Sequence, residues 1–483
     1  MKEEKTNPGV KSPDPVPASK LAGTSLPLPE GWHADETTGL IVRDTIHSML
    51  RRRNGWNYKG PGLYMVTLTL ADRSRGWLGE LEILGSKLPS TGPGEALASK
   101  LPSTVAGEAL GSKLPSTGAS AFELARGCFQ DLPAPSDCRI ALTPLGEAVA
   151  EAWREISANW PGVEALDLQI MPEHLHGIIR VVTPQRHPLG QIVGSFKARA
   201  TGKGKALAEA LAEALASTLA STGPSAFELA RSCLPPALLA GKSLWSEGFN
   251  DLILWTEERR ARATHYLKTN PYRLAIKRLF PDLFKVSRDL EVDLGEGRVG
   301  RFSAIGNHFL LDAPVLAQVQ CSRSFFAYRR DGRGKLLKKE PPAVETAEFR
   351  EIWALASKLA STGAALVSPC ISEGEREIAR RAFEAGYQLI TLANKGFSPL
   401  YKPGGKLFET CAAGNLLMLA PANWPYQPGE KKMTRADALT LNQLASWIAG
   451  STREQAPEHL ARRHYRGAVV ADVEKLALAA VGA

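Results

Sequence analysis

The stretch "MPEHLHGIIRVV", Met171–Val182, decides how the first part of the chain is read. Successive side chains on a strand point to opposite faces, so His174 and His176 share one face while Leu175 turns to the core between them. Two imidazoles at that spacing can meet one divalent ion. The same pair also suits two solvent-facing histidines on a half-buried sheet. The surrounding segments have to decide between these.

Working outward, "GLYMVTLTLAD" (Gly62 to Asp72) alternates as a strand does. "TPLGEAVAEAWREISANWPG" opens with a capping candidate, Thr143, and a first-turn Pro144, then carries Leu145, Val149, Trp153 and Ile156 at helical spacing. "VEALDLQIMPEHLHGIIRVV" is long enough for two strands turning near Pro172, with the histidines on the second. "PLGQIVGSFKARATGKGKA" reads as a basic amphipathic helix and "SLWSEGFNDLILW" as a strand. "TEERRARATHYLKTNPYRLAIKRLF" reads as a helix capped by Thr256. The order β-α-β-β-α-β predicts an α+β, ferredoxin-like (split βαβ) domain, an antiparallel sheet with helices on one face.

A chain of 483 residues is long enough for two or three domains. A net charge of +9 suits a nucleic-acid partner, although solvated basic faces are also common. The six cysteines (Cys128, Cys138, Cys233, Cys321, Cys370, Cys411) form no C-x-x-C pair, which predicts a reducing, cytoplasmic setting without structural zinc. The polar, proline-rich start predicts a disordered or irregular leader over residues 1–60, with no signal peptide and no membrane anchor.

Short repeats interrupt the first domain. "SKLPSTG" begins at Ser86, returns as "SKLPSTV" at Ser99 and again as "SKLPSTG" at Ser112, and "STGASAFELARGC" at Ser116 reappears as "STGPSAFELARSC" at Ser221. A third echo, "SKLASTG", starts at Ser357. A solenoid needs contiguous, stacking units. These copies are short and scattered, so they predict surface insertions, about 85–140 and 206–239, within a domain spanning 61–290.

Tyr266 and Asn270 in "HYLKTNP" are four residues apart and so project from one side of a helix. Pro271 disfavours helical backbone at Asn270, which predicts that the helix ends there. Were this helix to pack on the face bearing His174 and His176, one site would hold two imidazoles, a carboxamide and a phenol. Such ligands suit Mn²⁺, and Mg²⁺ less well. A metal held there can polarise a phosphodiester while the tyrosine attacks phosphorus. Each residue also has an ordinary reading, Tyr266 as a core aromatic and Asn270 as a helix terminator.

These motifs, in this order, resemble the single-tyrosine branch of the HUH endonucleases, especially the REP-associated tyrosine transposases of the IS200-like family. "MPEHLHGIIRVV" is similar to the family's histidine strand, "LWSEGFNDLIL" to its Trp-x-x-x-Phe-x-Asp strand and "HYLKTNPYRL" to its nucleophile helix. "YMVTLTLADR" and "LGQIVGSFKARAT" are similar to its first strand and its post-histidine helix. The likeness spans about Gly62 to Phe284. It implies His174 and His176 as metal ligands, Asn270 as the third ligand, Tyr266 as the nucleophile, and Mn²⁺ or Mg²⁺ as the cofactor. The reaction it implies is single-strand DNA nicking and joining through a 5′-phosphotyrosine, beside hairpin or palindromic DNA. Lys197, Arg199, Lys203 and Lys205, with Arg259, Arg260 and Arg262, are the basic residues placed to track phosphates. The insertion at 206–239 and a long C-terminal extension depart from the family's compact pattern.

That extension, 300–483 with a core about 364–450, predicts an α/β, Rossmann-like domain. "AALVSP", "YQLITLA" and "LLMLAP" read as buried strands of a parallel sheet, alternating with helices. The helix "SEGEREIARRAFEAG" has Ser372 as its cap and Gly386 as its terminator, and its start could receive an anion. "SPCISEGE" and "KPGG" resemble loops of DNA-processing-A and lysine-decarboxylase-like proteins. Alternative readings of the whole chain are a catalytically idle, domesticated hairpin-DNA-binding protein and a nucleotide-binding sensor dominated by the C-terminal domain. Monomer and homodimer both stay open.

Overall fold

The structure is a computed structural model that describes residues 32–34, 41–43, 56–84, 126–127, 129, 132–218, 234–429, 431–450 and 470–483. Most of the leader, the repeats over 85–125 and those over 219–233 lie outside the described residues. Where the leader is described, Trp32–Ala34 pairs with Ile41–Arg43 and Tyr58 is core, so the expectation of an irregular leader over 1–60 does not hold there. The chain divides into two units, one built mainly from 27–88 and 133–276, the other mainly from 277–483.

In the first unit, strand β1 (Gly62–Thr69) is followed by β2 (Gly79–Ile83), β3 (Cys138–Leu142) and helix α1 (Pro144–Arg154). Next come β4 (Val163–Ile170), β5 (His174–Val181), helix α2 (Leu189–Thr218), β6 (Asn250–Ile253) and helix α3 (Glu257–Leu279). Four strands form an antiparallel sheet in the order β4-β5-β1-β6. Of the stretch read as a strand over 243–255, only β6 is regular; Trp245 adds one isolated bridge to Leu70.

Alternation divides the sheet cleanly. Tyr64, Val66 and Leu68 of β1 and Leu175, Ile179 and Val181 of β5 pack with α1 and α2 in one core. Leu63 and Met65 of β1 and Ile178 of β5 face the other way, against Ala263, Tyr266 and Leu267 of α3. The sheet is therefore covered on both faces, α1 and α2 on one and α3 on the other, which corrects the expectation of helices on one face. Thr143 caps α1, accepting from Gly146 N at 3.1 Å. Gly177 is required where it stands, because a Cβ there would come within 2.3 Å of the Trp153 ring.

α3 does not stop at Asn270. It runs through Pro271 for two more turns, which leaves the Leu267 carbonyl without its helical donor. Ala275, Ile276 and Leu279 continue the apolar spacing and are buried. Each buried Ile or Leu is worth ~1.5–3 kcal/mol, enough to offset a proline defect of ~3 kcal/mol. The local rule loses to tertiary burial.

The insertions differ from each other. The first leaves the tip of the β2–β3 ribbon, where Ile83 pairs with Cys138 and Leu84 N donates to Asp137 O at 2.7 Å. The second begins inside α2, which continues to Thr218, and ends in core: Leu234 and Leu238 are fully buried. The range 206–239 is thus not surface decoration throughout.

The second unit holds a mixed six-stranded sheet, and its first strand starts earlier than residue 300. The elements are β7 (Ser287–Asp293), β8 (Val299–Gly306), β9 (Leu316–Gln318), α4 (Ala347–Ser361), β10 (Ala365–Ser368), α5 (Glu373–Ala385) and β11 (Leu389–Leu392). They continue with α6 (Gly405–Ala412), β12 (Leu416–Pro421), α7 (Arg435–Gly450) and α8 (Val470–Val481). The order is β9-β10-β11-β12-β8-β7. The first four strands are parallel, and β8 and β7 extend the sheet antiparallel. α4 and α5 pack on one face, α7 and α8 on the other. Ser372 and Gly386 cap and end α5, Gly386 with φ of 70°. Among the described residues no helix is long and apolar enough to cross a membrane.

Candidate functional site

His174 and His176 lie on the α3 side of the sheet, as two-residue spacing requires, and Leu175 is fully buried on the other. Their rings are 4.9 Å apart, centroid to centroid. α3 brings Tyr266 to the same place, its ring 5.3 Å from that of His176. Asn270, one turn further along, is 7% exposed. The four residues singled out in the sequence therefore belong to one face of one sheet and the helix that covers it.

His176 is 6% exposed, and its two ring nitrogens have different surroundings. Nδ1 is hydrogen-bonded to Thr67 Oγ1 at 2.8 Å, from the residue directly opposite on β1. Nε2 is buried and has no hydrogen-bond partner. Burial first, and the neighbouring His174 second, hold the imidazole down to about 3, so the ring is neutral at ordinary pH. A neutral ring with one nitrogen tied and the other bare is the state a metal ligand needs. The Asn270 carboxamide carries the second orphan, its Nδ2. Its two ends exchange by a half-turn about the last bond, which turns the oxygen to the same spot. Two imidazoles and a carboxamide oxygen thus fit a hard or borderline divalent cation. Among the described residues no group of three or more His, Cys, Asp or Glu gathers, here or elsewhere, so the third donor at this site has to be the Asn270 carboxamide.

Two residues here had no part in the sequence reading. Thr67 orients His176. Arg273, 8% exposed, holds its guanidinium 5.3 Å from the centre of the Tyr266 ring. Its signal was present, since Arg273 follows Tyr266 by seven residues and so shares its helix face.

The basic residues separate into two groups. Those on α2 lie across the sheet from the histidines, because Leu189, Ile192, Val193 and Phe196 fix that helix on the opposite core. Their charges are also engaged. Lys197 donates to the carbonyls of Ser246, at 2.7 Å, and Gly248, and burial lowers it to about 8. Lys203 bridges Glu151 and Glu155 at 3.0 and 2.9 Å, Arg199 lies 3.9 Å from Glu155, and Lys205 donates to Gly241 O at 2.8 Å. These four, expected from the sequence to track phosphate, therefore stand across the sheet from Tyr266 with their charges met by the chain itself. Arg259, Arg260 and Arg262 are on α3 itself, the latter two in exposed pairs with Glu257 and Glu258 at 3.7 and 3.8 Å. Exposed pairs of this kind bind weakly and yield to a better anion.

The helix start in the second unit is likewise filled from within. The Glu375 carboxylate accepts from the backbone N–H groups of Ile371 at 2.6 Å, Ser372 at 3.3 Å and Cys321 at 3.4 Å. Together with the Ser372 side chain it makes a capping box, so the anion expected at α5 is the chain's own.

No family model matches the sequence, and no curated protein does. Among solved structures the chain shows a likeness to DNA processing protein A of Helicobacter pylori, described for its single-stranded DNA binding mode. The identity is 17%, the TM-score 0.23, and the match covers 34% of this chain and 66% of that one. The match thus spans just under two thirds of that protein, and a likeness this slight carries no statement about fold or function here.

Proposed function

We propose that the chain is a single-tyrosine HUH endonuclease of the REP-associated transposase kind, which nicks and joins single-stranded DNA beside hairpins. The observation that carries this reading is the meeting of His174, His176 and Tyr266 on one face, with His176 Nε2 bare and buried and the buried Asn270 carboxamide one helical turn beyond Tyr266. The order of elements and the β4-β5-β1-β6 sheet agree with a split βαβ, ferredoxin-like domain. The four parallel strands of the second unit agree with a Rossmann-like domain.

In this reading His174, His176 and the Asn270 carboxamide would hold Mn²⁺ or Mg²⁺, which would supply charge to polarise the scissile phosphate. The chain's own groups do the rest. The Tyr266 hydroxyl gives its proton to solvent and its oxygen attacks phosphorus, forming the O–P bond of a 5′-phosphotyrosine as the P–O3′ bond breaks, and the 3′ oxygen takes a proton from solvent to leave as a hydroxyl. Arg273, with its guanidinium 5.3 Å from the centre of the Tyr266 ring, packs against that ring and helps to position it. Thr67 holds the His176 ring in the ligating tautomer.

The test is incubation of the full chain with a labelled single strand bearing a hairpin, in Mn²⁺, followed by denaturing electrophoresis. A covalent adduct is expected from the wild type and none from Tyr266→Phe, with hairpin binding retained. An adduct at wild-type yield in Tyr266→Phe removes Tyr266 as nucleophile.

A further inference from the structure

The chain leaves β6 at Ile253 and enters α3 at Glu257, and between them stands Trp255, 46% exposed. A single exposed apolar side chain needs no explanation by itself. The surroundings of this one do. The Arg259 guanidinium lies 4.2 Å from the centre of its ring, and the Trp56 ring lies 6.2 Å away at 47°. Trp56 is itself anchored, its indole N–H donating to Tyr64 Oη at 3.1 Å, and Tyr64 is wholly buried. Arg259 is set by the helix start, where its N–H donates to the Thr256 hydroxyl at 3.2 Å. Trp255 is therefore held by two fixed neighbours while nearly half its surface faces solvent.

Position along α3 adds a second argument. Arg259 precedes Tyr266 by seven residues and Arg262 precedes it by four, so all three fall on one side of the helix. At 1.5 Å per residue Tyr266 is ~15 Å from the start of the helix. Aromatic faces interleaved with arginines along one line are what unpaired bases and their phosphates recognise, because every base has a face to stack and every link a charge. We propose that Trp255 is the stacking platform for an unpaired base of the strand whose phosphodiester reaches Tyr266. The inference rests on the DNA reading above and adds the element that holds the flanking nucleotide.

The experiment measures fluorescence-anisotropy binding of the full chain to a hairpin with a single-stranded flank, over a range of salt, in Ca²⁺ to separate binding from cleavage. Trp255→Ala is expected to weaken binding at least fivefold, and Trp255→Phe to recover most of the loss. The slope of log affinity against log salt stays that of the wild type in both, since a stacked ring releases no counterions. Arg262→Ala, by contrast, lowers that slope. Replacing flank nucleotides one at a time by abasic links is expected to find one position where wild type loses affinity and Trp255→Ala loses no more. Wild-type affinity in Trp255→Ala, or no abasic position that reproduces its defect, overturns the proposal. A thermal melt of each variant guards against misfolding, and the abasic series in wild type needs no variant at all. The two readings fail separately: absence of the Tyr266 adduct with the Trp255 signature intact sinks cleavage alone, and an adduct with a silent Trp255→Ala sinks the platform alone.

Discussion

Thr67 Oγ1 meets His176 Nδ1 at 2.8 Å across the β1–β5 pair, and that contact leaves Nε2 as the only nitrogen of the ring without a partner. When Nδ1 carries the proton, it donates to Thr67 and Nε2 presents its lone pair to the α3 side. Thr67→Val keeps the shape of the side chain and removes the acceptor. Mn²⁺ affinity is expected to fall 10–100-fold, with a stability loss of only ~0.5–1.5 kcal/mol. Calorimetric titration checks it, and an unchanged affinity would show that Thr67 plays no part in holding the ring.

The histidine strand offers a contrast between neighbours. His174→Ala and His176→Ala each remove a ligand and should end Mn²⁺-dependent cleavage. Leu175→Ala, on the opposite face and fully buried, should cost ~2–5 kcal/mol of stability. Urea melts and metal titrations on the three variants separate the two roles. Equal Mn²⁺ affinity in both histidine variants and wild type would sink the metal site.

The two insertions should respond differently to deletion. Leu84 and Asp137 close the described end of the β2–β3 ribbon, so residues 85–136 can be replaced by Asn-Gly, the pair that suits a two-residue hairpin turn. Among the described residues the loss includes the stacking of Phe129 on Phe280, 4.8 Å between centroids, and the shortened chain should fold and keep Tyr266 active. Deleting 206–239 should instead unfold the first unit, since Leu234 and Leu238 go with it. Leu238→Ala alone should cost ~2–5 kcal/mol. A folded, active chain lacking 206–239 would reverse this assignment.

How much of this was legible depended on whether the cause was local. The α1 cap, the two faces of β5 and the ends of α5 follow from neighbours in sequence, and Thr143, Leu175 and Gly386 stand where periodicity and capping put them. The β2–β3 ribbon was not legible. "GELEI" and "CRIAL" are short, and their partnership spans the repeats, so no local pattern announces it. The end of α3 was misread for the same reason, because Pro271 is a local signal and the burial of Ala275 and Ile276 is not. At α5 the Ser-x-x-Glu pattern was in plain view, and it meant that the helix start supplied its own anion. The candidate site was legible in its residue types and in the faces they share. The ring nitrogen that stays bare, and the helix that faces it, required the fold.

A last prediction concerns pH. Glu377 is 3% exposed, and burial by itself would raise its pKa. Hydrogen bonds outweigh burial: Arg380 donates at 2.8 and 2.6 Å, Tyr328 through its hydroxyl, and Arg381 at 2.8 Å, and together they lower the carboxyl to about 2 from 4.5. A group lowered by folding stabilises the fold fully above its unfolded value and loses that contribution as pH falls toward its folded one. The window is therefore pH 4.5 down to about 2, and the amount at stake is on the order of 3 kcal/mol. Glu375, raised by burial, acts with the opposite sign nearby, so wild type alone does not isolate the effect. The difference between wild type and Glu377→Gln does. Urea melts of both at pH 6 and pH 3 should show the wild type well ahead at pH 6 and the gap narrowing at pH 3. A gap that stays constant over that range would mean that the Glu377 carboxylate is not held by its arginines and tyrosine in solution.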